Sequence, residues 1–268
     1  MNKKALTDRL DLAVAAAREA GDITLRYFCT DGYLVERKHD ATPVTVADRA
    51  AELHLRERIS RAFPDDAILG EEFAEKSGTS GYRWILDPID GTKSFISGVP
   101  LYGTLVGVEF GPASVIGVIH MPGLDEMVYA AKGQGAWHVI NGHDPTPARV
   151  STKTKLSEGL FTYCELRTFL NCGRGEAFRQ LEAAAWLTRT WGDCYGYLLV
   201  ATGRAEAMID PVMNVWDAGA IQPVLEEAGG TFTDWSGAAT IHSREGIGTN
   251  GKVLAEILAI TKNSLRTG

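Results

Sequence analysis

Cysteine is scarce and unpatterned. The 268 residues contain four, Cys29, Cys164, Cys172 and Cys194, with no CxxC pair and no zinc-type spacing. This excludes a disulfide framework and a structural zinc site, and predicts reduced thiols in a cytoplasmic protein. Long apolar runs are also missing. None approaches the ~18 residues that cross a bilayer, so no membrane partner is expected. There is no block of lysine or arginine, and the net charge is -7. Nucleic-acid surfaces draw most of their affinity from clustered basic residues, so no nucleic-acid partner is expected either. No GxxxxGK[ST] stretch occurs, which removes a P-loop, and the regular ligand spacing of an EF-hand is absent. The six histidines are scattered, none paired at ligand spacing, and receive no role. Neither repeats nor low-complexity tracts interrupt the chain.

Hydrophobic residues make up 45% and charged residues 23%, the balance of an ordinary globular protein. The length allows one large domain or two closely packed ones. The start, 1-MNKKALTDRLDLAVAAAREAG-21, mixes charge into its apolar residues and reads as an amphipathic helix, not a signal peptide. Helical spacing continues to about residue 28. A strand is expected over 33–38. Thr45, with Asp48 three positions on, forms a capping box that opens a helix running to Pro64. Strands follow at 67–69 and 82–87, then a neighbouring pair at 101–111 and 114–123, with β character continuing to about 141. The polar, Pro-containing stretch 144–159 marks a boundary between two halves, 1–145 and 146–268, of one compact unit. The second half predicts a strand near 160–164, a helix over 174–188, a strand near 190, a helix over 194–203, and a strand over 205–209. A helix over 217–230 is stopped by Gly229-Gly230 and has an irregular start at Pro223. A last helix lies near 251–264.

Three acidic stretches each follow a short apolar run: 67-AILGEEF-73, 84-WILDPID-90 and 212-VMNVWDAG-219. Taken singly, each reads equally as a surface turn or a helix cap. Together, Glu71, Asp87, Asp90 and Asp217 form a set of carboxylates whose motifs contain no matching Lys or Arg. Converging carboxylates are costly unless a cation or a shared proton relieves them. A donor set of oxygen alone suits Mg²⁺, with Mn²⁺ as a substitute. In 90-DGTKSF-95 the chain can turn at Gly91 and begin a short helix whose free N–H groups would receive a phosphate, or Asp90 simply caps that helix. Cations and donors converging on one anion suit metal-assisted hydrolysis of a phosphate ester.

GEE, then DPIDGT, then a distant WD followed by a helix ending in EEAGG, resembles the lithium-sensitive inositol monophosphatase family of Mg²⁺-dependent phosphatases. The likeness spans nearly the whole chain and includes 44-VTVAD-48. It implies an α/β (α+β) fold, a layered αβαβα sandwich of the inositol monophosphatase and fructose-1,6-bisphosphatase type, usually a homodimer, with a large antiparallel sheet in the first half. It also implies roles. Glu71, Asp87 and the carbonyl of Ile89 would hold one Mg²⁺. Asp87, Asp90 and Asp217 would hold a second, and Glu71 would reach a third through water. Thr92, oriented by Asp48, would help Glu71 activate the attacking water. The N–H groups of Gly91 and Thr92 would hold the phosphate, and Lys38 would lie near the metals. Gly219 stands where the family usually has alanine, which implies a slightly looser helix start.

The run 192-GDCYGYLLVATGRAEAMIDP-211 is most similar, within that family, to the histidinol-phosphate phosphatases. Histidinol carries an ammonium and an imidazole, and Asp193 and Asp210 could meet them in charge-assisted hydrogen bonds. The same Asp210 could instead accept from the hydroxyls of an inositol or other polyol phosphate, and Asp193 could be only a helix cap. Tyr195 and Tyr197 read as core or rim aromatics. Arg167, Arg174 and Arg189 read as solvated surface or as phosphate contacts. A binding or regulatory protein on the same scaffold is the alternative of a different class.

Overall fold

The computed structural model describes residues 2–30, 35–37 and 43–264. The chain opens with α1 (Lys3–Leu25), then the short pair β1 (Val35–Arg37) and β2 (Pro43–Thr45), and α2 (Val46–Ala62). The capping box forms as the sequence requires. Thr45 N and Oγ1 donate to Asp48 Oδ2 at 2.7 and 2.6 Å, and Ala47 N donates to Thr45 Oγ1 at 3.1 Å. Of the strand expected at 33–38, Val35–Arg37 is described; Lys38 lies outside the described residues.

Next come β3 (Ala67–Gly70), β4 (Tyr82–Asp90), α3 (Thr92–Ile96), β5 (Gly103–Phe110), β6 (Ala113–Met121), β7 (Glu126–Ala131), β8 (Ala136–Ile140) and β9 (Thr146–Pro147). These seven strands form one sheet in sequential order; β3 runs parallel to β4 and every other pair is antiparallel. The sheet runs on past residue 145, through Pro147. The rest of the chain gives β10 (Leu160–Thr162), α4 (Leu166–Asn171), α5 (Gly175–Ala184), β11 (Leu187–Arg189), α6 (Asp193–Ala201), β12 (Ala207–Asp210), α7 (Val215–Ala218), α8 (Ile221–Glu227), β13 (Thr231–Thr233), β14 (Gly246–Thr249) and α9 (Leu254–Ser264). Its strands form a mixed sheet in the order β11-β10-β12-β14-β13.

Both faces of the large sheet are covered, which explains the unbroken apolar run 84-WIL-86. In a pleated strand alternate side chains point to opposite faces. Trp84 and Leu86 pack with Leu10, Leu55 and Ile59 of α1 and α2, whereas Ile85 packs with Ile221 and Val224 of α8. The small sheet presents Met208 to α6 and α8, and Phe161, Ile209 and Ile247 to α4, α5 and α9. The layers are therefore α, β, α, β, α. No described helix is long and apolar enough to cross a membrane.

Two expected helices are redrawn. The stretch expected as one helix over 217–230 divides into α7 and α8 around Gly219 and Ala220. Pro223 sits in the first turn of α8, where its missing N–H has no intrahelical partner to lose. The helix expected over 174–188 ends at Ala184, because Leu187–Arg189 pairs with β10 as an edge strand.

Close backbone contact joins the middle helices to the large sheet. A Cβ on Gly107 would meet the Gly219 carbonyl carbon at 2.5 Å, and one on Gly117 would meet the Ala220 oxygen at 1.9 Å. Gly219 itself has no room to spare: a Cβ there would lie 3.0 Å from Ile85 Cγ2. Its small size serves packing against β4, which corrects the expectation of a merely looser helix start. Gly117→Ala is predicted to cost about 1–3 kcal/mol by overpacking. Urea unfolding of the variant against wild type measures it.

Candidate active site

Asp87 and Asp90 are three positions apart, so in a regular strand their side chains would leave opposite faces of the sheet. They do not, because β4 is bulged between them. Asp87 is opposite Leu105 and Asp90 is opposite Gly103, so three steps on one strand match two on the other. Pro88, which has no N–H for the ladder, sits inside the bulge, and Thr104 Oγ1 donates to its carbonyl at 2.9 Å. Ile89 N donates to Asp87 Oδ1 at 3.1 Å. Asp217 arrives from the other half on α7, where its Oδ2 accepts from Asn214 N at 2.6 Å. Asp87, Asp90 and Asp217 each offer an oxygen, and all three oxygens lie within 4.8 Å of one another.

Electrostatics sets the character of this cluster. Burial, then the charges of Glu71, Asp90 and Asp217, push Asp87 well above the usual carboxylate range. Burial and the neighbouring Asp193 and Asp217 do the same to Asp90, against the pull of Cys194 N, which donates to Asp90 Oδ2 at 2.5 Å. Asp217 rises to about 7, chiefly through burial and Glu71. Burial first, and then Glu71, lift Asp48 to about 6. Glu71 is thus within electrostatic reach of Asp48, Asp87 and Asp217, and its side chain lines the adjoining cleft. None of the interactions described for Asp87, Asp90 or Asp217 involves a lysine or arginine. An all-oxygen set of buried and half-buried acids that repel one another fits a hard divalent cation such as Mg²⁺.

The expected contact between Asp48 and Thr92 is not made. Asp48 is engaged by Thr45, and Thr92 Oγ1 donates to the Ile89 carbonyl at 3.1 Å. Thr92 is therefore oriented by this backbone carbonyl instead of by the carboxylate. Gly91 holds φ 87°, in the left-handed region, and turns the chain from β4 into α3. A Cβ there would come within 3.1 Å of the Leu101 oxygen and 3.2 Å of Asp193 Oδ2.

Beside the cluster opens a cleft of about 900 Å³, lined among others by Glu71, Thr92, Lys93, Glu165, Asp193 and Trp216. A smaller cavity of about 50 Å³ adjoins it, and Cys164 and Asp193 line both. Asp90, Asp210, Asp217 and Tyr197 close the smaller one. Asp193 is the first residue of α6 but does not cap it through its side chain. It adopts φ 51°, unusual for a residue with a Cβ, and its Oδ1 accepts from Cys164 Sγ at 3.3 Å. Asp210 Oδ1 accepts from the same thiol at 3.0 Å, and its Oδ2 accepts from Tyr197 Oη at 2.9 Å. Burial and the charges of Asp193 and Asp217 raise Asp210 to about 7.

Sequence reasoning missed Cys164 and undervalued Tyr197. The signal for Tyr197 was its place four residues after Asp193, on the same helix face. Cys164 carried no signal in its spacing. The three candidate arginines stay out of the cleft. Arg174 pairs with Glu245 at 2.6 Å and stacks over Trp235, Arg189 bonds the Thr188 carbonyl at 2.7 Å, and Arg167 is surface-exposed.

The inositol monophosphatase family model matches residues 5–266. The histidinol-phosphatase of Chlorobaculum parvum is 43% identical over 262 residues, covering 97% of this chain and 99% of that protein. That of Mycobacterium tuberculosis is 36% identical, covering 94% and 96%. The chain belongs to the inositol monophosphatase family. Within the family, the solved structure of a Thermotoga maritima IMPase superposes with a TM-score of 0.84 at 28% identity, covering 97% of this chain and 98% of that one. The layered sandwich that the resemblance implied is the fold of this family.

The raised carboxylates predict how stability responds to pH without metal. Asp210 and Asp217 move from the ordinary 3.8 to about 7, so the folded chain holds protons there that the unfolded chain has released. Their contribution is full below the unfolded pKa and is lost as pH rises toward 7. Melting temperatures of chelator-treated protein between pH 5 and pH 8 should therefore decline less steeply for Asp217→Asn than for wild type.

Proposed function

We propose that this protein is a Mg²⁺-dependent phosphate monoester hydrolase whose substrate is L-histidinol phosphate. One observation carries the choice of alcohol. Where the large cleft narrows into the small cavity beside the carboxylate cluster, Asp193 lines both and Asp210 closes the inner end, with no lysine or arginine among the described residues that line the small cavity, so this end of the cleft suits a cationic leaving group. A charge-assisted hydrogen bond from an ammonium or imidazolium contributes more than one from a neutral hydroxyl. The histidinol-phosphatases of Chlorobaculum parvum and Mycobacterium tuberculosis, which this chain resembles over nearly their whole length, support the same substrate.

Glu71, Asp87, the Ile89 carbonyl, Asp90 and Asp217 would hold two or three Mg²⁺ ions, with Mn²⁺ as a substitute. Bound ions of this kind lower the pKa of water and offset the charge of phosphate oxygens. The chain's own groups do the rest. Gly91 and Thr92 N–H groups hold the phosphate. Glu71 accepts the proton of the attacking water, with Thr92 Oγ1 orienting that water. Asp48, buried beneath, keeps Thr45 and the start of α2 in place. Asp193 and Asp210 orient the amino alcohol. The enzyme acts in histidine biosynthesis, as a cytoplasmic homodimer.

Phosphate release from L-histidinol phosphate, myo-inositol 1-phosphate and fructose 1,6-bisphosphate, each with and without Mg²⁺, tests the reading. Histidinol phosphate should be turned over fastest, and only with the metal. Preference for myo-inositol 1-phosphate would move the substrate to the polyols, and no release from any ester would favour a binding protein. Asp217→Asn should lower kcat roughly 10³-fold or more, since several kcal/mol of charge stabilisation depend on the ion it holds. Asp210→Asn should lower kcat/KM for histidinol phosphate roughly 10- to 100-fold, the loss of one hydrogen bond to a charged group, and should affect myo-inositol 1-phosphate less.

A further inference from the structure

Lys93 is the one basic side chain among the described residues that line the large cleft, which also presents Glu71, Glu165 and Asp193. It follows directly on Gly91 and Thr92. Its ammonium lies close enough to Asp193 to favour that group's charged form. Yet it does not stand free in the cleft. Lys93 Nζ pairs with Glu165 Oε2 at 3.1 Å. Lys93 belongs to α3 in the first half, and Glu165 leads into α4 in the second, so the pair spans the cleft from one side to the other. The second oxygen of Glu165 faces Arg167 Nε at 4.0 Å.

From this arrangement we infer that Lys93 is a phosphate-capturing residue kept in reserve by Glu165. An arriving phosphate dianion takes Lys93 from Glu165, and Glu165 turns to Arg167. Lys93 then contacts the substrate directly, and Glu165 is a positioning residue that acts through it. The inference deepens the proposed function, since it assumes that the cleft receives a phosphate group. Three physical points favour it. The pair is weak enough to exchange: both side chains are substantially exposed, at 75% and 43%, and exposed ion pairs contribute little. Arg167 leaves Glu165 with a partner after the exchange. Finally, Lys93 places a positive charge at the part of the cleft that also presents Glu165 and Asp193, where it favours the approach of a dianion.

The test measures binding of inorganic phosphate by titration calorimetry in Mg²⁺, alongside kcat and KM for histidinol phosphate, at low and high salt. Lys93→Met should weaken phosphate binding and raise KM about three- to tenfold, with kcat nearly unchanged and the effect shrinking in high salt. Glu165→Gln should do the opposite, tightening phosphate about two- to fivefold. The double variant should match Lys93→Met alone, and Lys93→Arg should stay close to wild type. Wild-type binding in Lys93→Met, an unaltered Glu165→Gln effect in the Lys93→Met background, or no phosphate binding by wild type would overturn the inference. The two readings separate cleanly. If phosphate binding follows the pattern while histidinol phosphate is not hydrolysed, the substrate assignment fails and the capture residue stands. If histidinol phosphate is hydrolysed and Lys93→Met behaves as wild type, the reverse holds.

Discussion

Like charges forced together at the base of a cleft are the constraint around which this molecule is organised. Asp87, Asp90 and Asp217 bring oxygens within 4.8 Å of one another, and Glu71 adds its field. An isolated buried carboxylate is expensive, and a cluster is worse, because each charge raises the cost of the next. Such a group either holds protons or surrounds a cation. The carboxylates here come from three separate segments, the turn after β3, β4 and α7, an all-oxygen set chemically suited to Mg²⁺. The fold therefore keeps an unfavourable arrangement in place for the sake of what can be bound there.

What keeps it in place is packing between the two sheets. Glycines 107 and 117 let the backbone around Gly219 and Ala220 approach the large sheet closely, which sets the height of α7 and with it Asp217. The bulge at Pro88 turns Asp90 to the same side as Asp87. Cys194 N, at the start of α6, grips Asp90 from the second half. Each contact crosses between parts of the chain that the sequence keeps far apart. The same crossing brings Lys93 to Glu165 and Asp193 to Gly91 at the mouth of the cleft.

Much of this was legible in the amino-acid sequence, for identifiable reasons. The capping box at Thr45 is a local signal and forms as read. Trp84, Ile85 and Leu86 are apolar on both faces because the sheet is covered on both, and the turn at Gly91 forms as read, whereas the bulge that carries β4 past the expected end at 87 to Asp90 had no signal in the strand pattern. The strands β13 and β14 were not legible. The segment 231–249 is polar and glycine-rich, and Gly248 is glycine because Tyr197 and Leu225 each press to 2.7 Å of where its Cβ would be. A strand selected for thinness has no hydrophobic alternation to read. Cys164 was equally silent. Its role depends on two carboxylates that lie 29 and 46 residues away, and no local pattern reports that. Asp48 and Thr92 were paired from family likeness, whereas each is satisfied by a nearer partner in its own turn.

The most direct measurement is anomalous diffraction from crystals soaked in Mn²⁺ at neutral pH. The account predicts strong peaks coordinated by Asp87, Asp90 and Asp217, with Glu71 and the Ile89 carbonyl completing the shell of at least one of them. Crystals in which these carboxylates stay hydrogen-bonded to one another, with no anomalous density between them at saturating metal, would contradict it.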